Sequence, residues 1–259
     1  KEEVISALIV SSDKHIWAGT SNGLWQFDGT SWQEVPQLAG HSVLSLLQTT
    51  DQVIWVGTNS GLWQLKNKKW KKHLQAKEII TLYESDNKLL RVGTERGMWT
   101  LKDDNWYSEL TNIRVLSILK LPDSSIWIRA EDSLWRFSPT GWFQPDILRN
   151  KKAFSGESLM FSQHSPFLQS QRGHLWIGTS GNGIWQYDGT SWLKHSQLSN
   201  LGIHLLEETM DGKVWAGTLT GGIWGYNGTS WSHPDKLEDT EILSILTTKD
   251  GSLWVGTFA

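Results

Sequence analysis

The chain has 259 residues, a formal net charge of −3, no Cys and 18 Trp. The lack of Cys excludes a disulfide scaffold, a thiolate metal site and a Cys nucleophile, and the nearly balanced charge gives no general attraction for nucleic acid. The longest apolar runs, such as Ile5–Val10, are too short to cross a membrane. The high Trp count needs a cause, and the order of the predicted elements supplies one.

The first predicted elements form one unit of four short strands. The apolar run Ile5–Val10 predicts the first strand, and the sequence HIWAGTSNGLWQFDGTSW, which ends at Trp32, predicts the other three. An Asp-Gly turn at Asp28-Gly29 separates the last two, and Asp-Gly between alternating apolar residues is a strong hairpin signal. No window of the chain shows sustained helical periodicity.

The same unit returns along the chain at intervals of 36–49 residues, counted between W-x-G-T positions. Four antiparallel strands at this period are typical of a β-propeller blade. The sequence therefore predicts an all-β fold, a single β-propeller domain over residues 1–259 of the seven-bladed type, with six complete four-stranded blades and a partial seventh. We place the repeats near residues 4–38, 39–76, 77–112, 113–150, 161–200, 201–239 and 240–259, with an insertion at about 146–160.

All Trp residues stand in three columns of the repeat: in W-x-G-T, after G-[LI], and at the start of the last strand. A single blade cannot bury both of its faces, so we expect these rings to fill the wedge between neighbouring blades. The Gly of W-x-G-T is expected to leave room beside such a ring. The Trp residues therefore predict the fold and not a stacking surface for bases or sugars.

The W-x-G-T…G-L-W…W unit resembles the two-component regulator propeller repeat over essentially the whole chain. In that family, such repeats form extracytoplasmic sensor domains of bacterial hybrid histidine kinases. The resemblance implies seven blades, a sensing or binding role, and a periplasmic or extracellular location. The motif consists of packing residues, so it does not indicate which ligand is bound.

Two copies depart from the repeat where the others carry packing residues. Arg91 replaces the first Trp of copy three, and Arg129 replaces the Gly of W-x-G-T in copy four. One interpretation is that both stems are packed and their charged heads reach the rim. The other is an anion-facing site between blades three and four, close to Glu95, Arg96, Glu131 and Asp132.

Loops on one face of the predicted propeller are the expected place for ligand binding. In propellers, the loops between the second and third strands share a face with the loops between blades, and loops on a rigid scaffold often carry function. No motif predicts a catalytic residue, a metal site or a cofactor. Besides Arg91 and Arg129, the candidate binding residues are Asn22, Asn59, Glu95, Arg96, Glu131, Asp132, Asn182, His41, Arg114 and His204.

We predict a non-enzymatic, ligand-sensing or recognition propeller that binds a small molecule, a glycan or a protein partner, and not nucleic acid. A protein-interaction scaffold and a carbohydrate-active or lyase-like propeller enzyme are the alternatives, since one fold hosts many functions. No membrane span is expected in the chain. The partial seventh blade would expose an edge at Leu253–Thr257, which predicts possible self-association through edge pairing.

Overall fold

The computed structural model divides the chain into two compact units, Lys1–Ile118 and Leu119–Ala259. The prediction of a single domain therefore stays a prediction. The insertion expected at about 146–160 lies outside the described residues, which are 4–131, 133–138, 141–145, 166–234 and 237–257.

Unit 1 contains three antiparallel four-stranded sheets, which we call blades one to three. In each sheet the strands are hydrogen-bonded in chain order. A 3-10 turn at Pro36–Leu38 follows blade one. The strands are β1 (Ile5–Val10), β2 (Ile16–Thr20), β3 (Gly23–Phe27) and β4 (Trp32–Glu34); β5 (Val43–Gln48), β6 (Ile54–Thr58), β7 (Gly61–Lys66) and β8 (Lys69–His73); and β9 (Ile79–Glu84), β10 (Leu90–Thr94), β11 (Gly97–Lys102) and β12 (Asn105–Thr111).

Unit 2 contains blades four to six and a two-stranded sheet, which we call blade seven. A second 3-10 turn, Ser196–Leu198, follows blade five. The predicted fold class, with six four-stranded sheets and a partial seventh, is confirmed. The strands are β13 (Val115–Lys120, which contains the unit boundary), β14 (Ile126–Ala130), β15 (Leu134–Ser138) and β16 (Gly141–Phe143); β17 (Phe167–Gln169), β18 (Leu175–Gly178), β19 (Ile184–Tyr187) and β20 (Trp192–His195); β21 (Ile203–Glu208), β22 (Val214–Thr218), β23 (Ile223–Tyr226) and β24 (Trp231–Ser232); and β25 (Ile242–Thr247) and β26 (Leu253–Thr257).

A side chain closes the turn between the third and fourth strands in three blades. Asp28 Oδ1 accepts hydrogen bonds from the backbone N–H groups of Thr30 and Ser31, at 2.8 and 2.9 Å. Asp188 and Asn227 accept the equivalent pairs. The Thr30 hydroxyl also donates to Asp28, and these bonds lower the pKa of that carboxyl to about 2. Such side-chain turns explain why Asp and Asn occupy this position.

Consecutive blades within each unit are joined by edge-to-face Trp pairs. The ring of the W-x-G-T motif in one blade meets the ring that opens the last strand of the next. The centroid distances are 6.5 Å for Trp17–Trp70, 6.4 Å for Trp55–Trp106, 5.8 Å for Trp127–Trp192 and 6.0 Å for Trp176–Trp231. Each such pair contributes about 0.5–1.5 kcal/mol beyond its buried area. Two of the three Trp columns thus pack blade against blade.

The Gly of W-x-G-T makes room for a strand and not for a ring, which corrects the expectation from sequence. A Cβ atom at Gly57 would lie 2.7 Å from Ile79 Cγ2 and 2.8 Å from the Ile79 carbonyl oxygen. At Gly178 it would lie 2.6 Å from Ile203 Cγ2. Ile79 and Ile203 begin the innermost strand of the following blade and are fully or almost fully buried. The Gly column therefore sets how closely the innermost strand of one blade approaches the second strand of the blade before it.

Candidate functional site

Two sets of loops converge on one side of unit 1. The Gly40 N–H donates to the Asn22 carbonyl at 2.9 Å, and the Asn59 N–H donates to the Ser42 carbonyl at 3.0 Å. Each bond ties a loop between second and third strands to a loop between blades. We call this surface the loop face of unit 1; it consists of residues 20–23, 35–42, 58–61, 74–78, 94–97 and 111–114.

Three charged side chains of the loop face form a connected cluster. The Arg114 guanidinium donates to both carboxylate oxygens of Glu78, at 3.2 Å each. The Glu78 backbone N–H donates to Glu95 Oε2 at 2.8 Å. All three residues are half-buried, and the exposed Arg96 lies beside Glu95 in the chain. The cluster thus holds two carboxylates and a guanidinium in fixed positions, a geometry suited to a ligand with several polar groups.

His41 forms a second part of the same face. Its Nδ1 lies 3.0 Å from the Ser60 hydroxyl oxygen, and its ring centroid is 6.0 Å from that of Trp63. Lys72 Nζ lies 5.2 Å above the Trp63 ring. The imidazole is therefore positioned by the loop of blade two, although it belongs to the connection that precedes that blade.

Unit 2 carries the remaining candidates, Glu131 and Asn182 on equivalent loops and His204 on the inner strand β21. The Leu219 N–H donates to the Gly202 carbonyl at 3.1 Å, which joins the two loop types as in unit 1. Asn182 is half-buried, and its backbone N–H donates to the Thr179 hydroxyl at 2.9 Å. His204 contacts the Ile242 carbonyl through Nε2, and Glu131 is exposed. Asp132 lies outside the described residues.

Arg91 and Arg129 do not lie on a loop face. Arg91 is on β10 and 5% exposed, and Arg129 is on β14 and 6% exposed. They occupy the Trp and Gly columns of the second strand, whose side chains point into the packing between sheets. Arg91 Nε is 3.9 Å from Glu109 Oε2 on β12, and burial lowers the pKa of Arg129 to about 10. Their heads do not reach the rim, and we leave both out of the proposed site.

The described residues contain no group of three or more His, Asp or Glu side chains that could hold a metal ion. In the same part of the chain, no helix is long and apolar enough to span a bilayer.

Sequence reasoning missed a polar groove in unit 1, whose lining overlaps the loop face only at Val35, Pro36 and Gln37. It has a volume of about 690 Å³ and lies between blades one and two, at the turns that follow β1 and β7. Five Gln side chains line it, and all five belong to the stretch from Gln26 to Gln52. The density of Gln in that stretch was the available signal, but each residue alone is an ordinary surface residue.

A family model and solved structures indicate what the chain is similar to. Residues 236–259 match the family described as two component regulator propeller. This segment, 24 of the 259 residues, carries the repeat of that family. The predicted resemblance is confirmed on that segment, and no curated protein matches the chain.

Solved structures with the same architecture come from proteins of different kinds. The extracellular domain of BT4673, described as a hybrid two component system of B. thetaiotaomicron, is 21% identical with a TM-score of 0.70 over 98% of this chain. This chain spans only 37% of that structure's length. Virginiamycin B lyase from Staphylococcus aureus is 15% identical with a TM-score of 0.65, covering 99% of this chain and 95% of the lyase. YCF48 from Cyanidioschyzon merolae is 14% identical with a TM-score of 0.66, covering 98% and 92%. These likenesses establish the β-propeller fold.

Proposed function

We propose that the chain is a non-enzymatic, ligand-binding β-propeller of the sensor type, and that its loop face in unit 1 binds the ligand. The observation that carries the proposal is the Glu78–Arg114–Glu95 cluster. Two loops between blades and one loop within a blade converge there on fixed charges of both signs. Likeness to the extracellular domain of a hybrid two component system supports a sensing role and a periplasmic or extracellular location.

The proposed binding residues are those that lie on the loop face of unit 1. In unit 1, Glu95 and Arg114 supply charge, while His41 and Ser60 supply a neighbouring donor and acceptor pair. Because carboxylates and guanidinium groups are both held in place, the ligand class is a small polar molecule or a glycan rather than a simple anion. The other proposed members in unit 1 are Asn22, Asn59 and Arg96. Glu131, Asn182 and His204 of unit 2 stay candidates for a separate site within that unit.

A lyase is the second candidate function, because a lyase propeller matches this chain over nearly its full length. An enzyme requires an acid or base within hydrogen-bond reach of the reacting atoms. The loop face of unit 1 contains such groups in Glu95 and His41, so the geometry fits both functions. They are distinguished by whether the bound ligand is converted into a product. A protein-interaction scaffold would use the same face for a partner chain.

The test is a thermal-shift screen of monosaccharides, oligosaccharides and small polar metabolites, followed by calorimetric titration of each hit. Arg114→Ala should weaken binding of a hit by roughly tenfold or more, because it removes a charged group that contacts the ligand. Lys102→Ala is the matched control, since Lys102 is an exposed cation at the opposite end of β11.

Three outcomes decide between the functions. Binding that Arg114→Ala weakens and Lys102→Ala leaves intact, with the ligand recovered unchanged by mass spectrometry, supports the proposal. Conversion of the ligand into a product identifies an enzyme. Equal affinity of the two variants places the ligand away from the loop face of unit 1.

A further inference from the structure

The groove between blades one and two is lined by an unusual set of side chains. Gln26 and Gln33 come from blade one and are directly opposite each other in the β3–β4 register. Gln48 and Gln52 come from blade two, and Gln37 comes from the 3-10 turn between the blades. Each carboxamide offers two N–H donors and an acceptor oxygen, which matches the donor and acceptor of a peptide group.

One of these carboxamides already accepts a hydrogen bond from a backbone N–H group. The Ser12 N–H donates to Gln48 Oε1 at 2.7 Å, and Gln48 Nε2 donates to the Ser12 hydroxyl at 3.1 Å. The equivalent residue of blade three is Glu84, and its carboxylate accepts a hydrogen bond from the Thr50 N–H at 2.7 Å. Side chains at this position therefore bind main-chain N–H groups of a neighbouring turn in this fold.

Other carboxamides of the groove are not used in this way. Within the described part of the chain, no hydrogen bond joins the Gln26, Gln37 or Gln52 side chain to another residue. Gln37 and Gln52 are exposed, and Gln26 is half-buried. These three groups therefore remain available to a ligand in the groove.

The charges of the groove are few and partly balanced. Asp13 Oδ2 lies 2.8 Å from His15 Nδ1, and Asp13 Oδ1 accepts hydrogen bonds from the Ser11 hydroxyl and the His15 N–H. Glu34 and Lys68 are the other charged residues in the lining. A ligand without net charge fits such a lining better than a polyanion or a polycation.

The apolar floor suits a side chain better than a sugar ring. Trp17 is 4% exposed and meets the edge of Trp70, so its ring has no open face on which a sugar could stack. Ile54 and Leu65 complete the floor. The volume of about 690 Å³ falls within the range of about 300–1,000 Å³ usual for ligand pockets.

We propose that this groove binds a short, uncharged, extended peptide segment. The carboxamides of Gln26, Gln37 and Gln52 pair with its backbone N–H and C=O groups, and an apolar side chain of the peptide packs on the half-buried Leu65. The site shares no side chain with the Glu78–Arg114–Glu95 cluster, although Gln37 also belongs to the loop face, so the two proposals are tested with different variants.

The probe is an equimolar library of acetylated, amidated tetrapeptides built from uncharged residues, added to the full chain labelled with ¹⁵N. We expect the side-chain amide resonances of Gln26, Gln37 and Gln52 to shift. The best tetrapeptide is then titrated by calorimetry against the parent chain and the double variant Gln37→Ala/Gln52→Ala. Loss of two pairing groups should weaken binding by roughly tenfold or more. Both residues are exposed, so the variant is expected to fold.

Two controls make the result specific. Gln75→Ala removes an exposed Gln from the corresponding connection after blade two, outside the groove, and should leave the affinity unchanged. An N-methylated copy of the tetrapeptide keeps its side chains but loses backbone donors, and it should bind at least tenfold more weakly. The proposal is overturned if the library shifts none of the three Gln resonances, if N-methylation or the double variant has no effect, or if maltotriose binds the groove more tightly than the tetrapeptides. A failure here leaves the loop-face result untouched, because the two assays use different ligands and different variants.

Discussion

His195 at the end of blade five is an imidazole enclosed by aromatic rings. Its ring stacks on Trp176 at a centroid distance of 5.1 Å and meets the rings of Tyr226 and Trp231 at 5.0 and 5.6 Å. Its Nε2 lies 3.0 Å from the acceptor Gln186 Oε1. His195 is only 8% exposed, so its ring is largely removed from the water that a charged imidazole requires, and burial lowers the pKa of His195 from 6.5 to about 4.

This pKa sets how stability depends on pH. Between pH 6.5 and 4 the unfolded chain binds a proton at this residue and the folded chain does not, so the free energy of unfolding falls as the pH falls. Above pH 6.5 the residue makes no pH-dependent contribution. At pH 4.5 the loss relative to pH 7.5 is about 2.5 kcal/mol, from the two pKa values and about 1.36 kcal/mol per pH unit.

The substitution His195→Phe keeps an aromatic ring between these neighbouring rings and removes the group that binds a proton. Urea unfolding at pH 7.5 and pH 4.5, followed by Trp fluorescence, should show that the parent chain loses about 2.5 kcal/mol more than the variant does. The lost hydrogen bond to Gln186 cancels, because it affects the variant at both pH values. His73, at the same position of blade two, also has a pKa lowered by burial, so His73→Phe should give a difference of the same sign. Parallel pH profiles of parent and His195→Phe would refute the reasoning.

Three further predictions concern packing and association. Gly57→Ala should lower the free energy of unfolding by about 3 kcal/mol in urea titrations, because the added Cβ would collide with Ile79. Gly29→Ala should cost only about 1 kcal/mol, because open space surrounds Gly29 and only its φ of +97° disfavours Ala. Equal losses in the two variants would contradict the packing argument. Arg114→Ala should lower stability by no more than about 1 kcal/mol in the same assay, since the ion pair with Glu78 is partly exposed, and a larger loss would show a structural role. Light scattering at several concentrations should detect self-association of the chain and its loss in Trp254→Ser, because Trp254 is 67% exposed; a parent chain that stays monomeric throughout would contradict this.

The fold was predictable because the same residues recur in the same columns. Repetition averages over individual exceptions, so the four-strand unit emerges even where Arg91 replaces Trp. What the column does not reveal is the partner of each residue. The Gly of W-x-G-T showed that space was needed, but the groups that fill the space at Gly57 are Ser45 of the same blade and Ile79 of the next repeat.

The candidate site was less predictable, for a related reason. Loop positions followed from the order of the strands, and His41, Glu95 and Arg114 lie on the loops where the sequence placed them. For Arg91 the sequence left open a head at the rim or an anion-facing site between blades three and four, yet Glu109 on β12 lies 3.9 Å from Arg91 Nε inside the blade. No periodic signal links these two residues. The groove was missed because its walls come from two repeats, and only the folded chain brings Gln26 and Gln52 together.

The contacts between blades also bear on how such a chain gains and loses repeats. At Gly57 and Gly178 the same small residue receives the same kind of β-branched neighbour, and the Trp pairs recur with nearly equal geometry. A duplicated or deleted blade that keeps these features meets a compatible surface on either side, so the number of blades is free to change without redesign of the rest. Blades three and four, which carry Arg91 and Arg129 in these columns, lack that interchangeability. We therefore expect successful duplications to lie elsewhere in the chain.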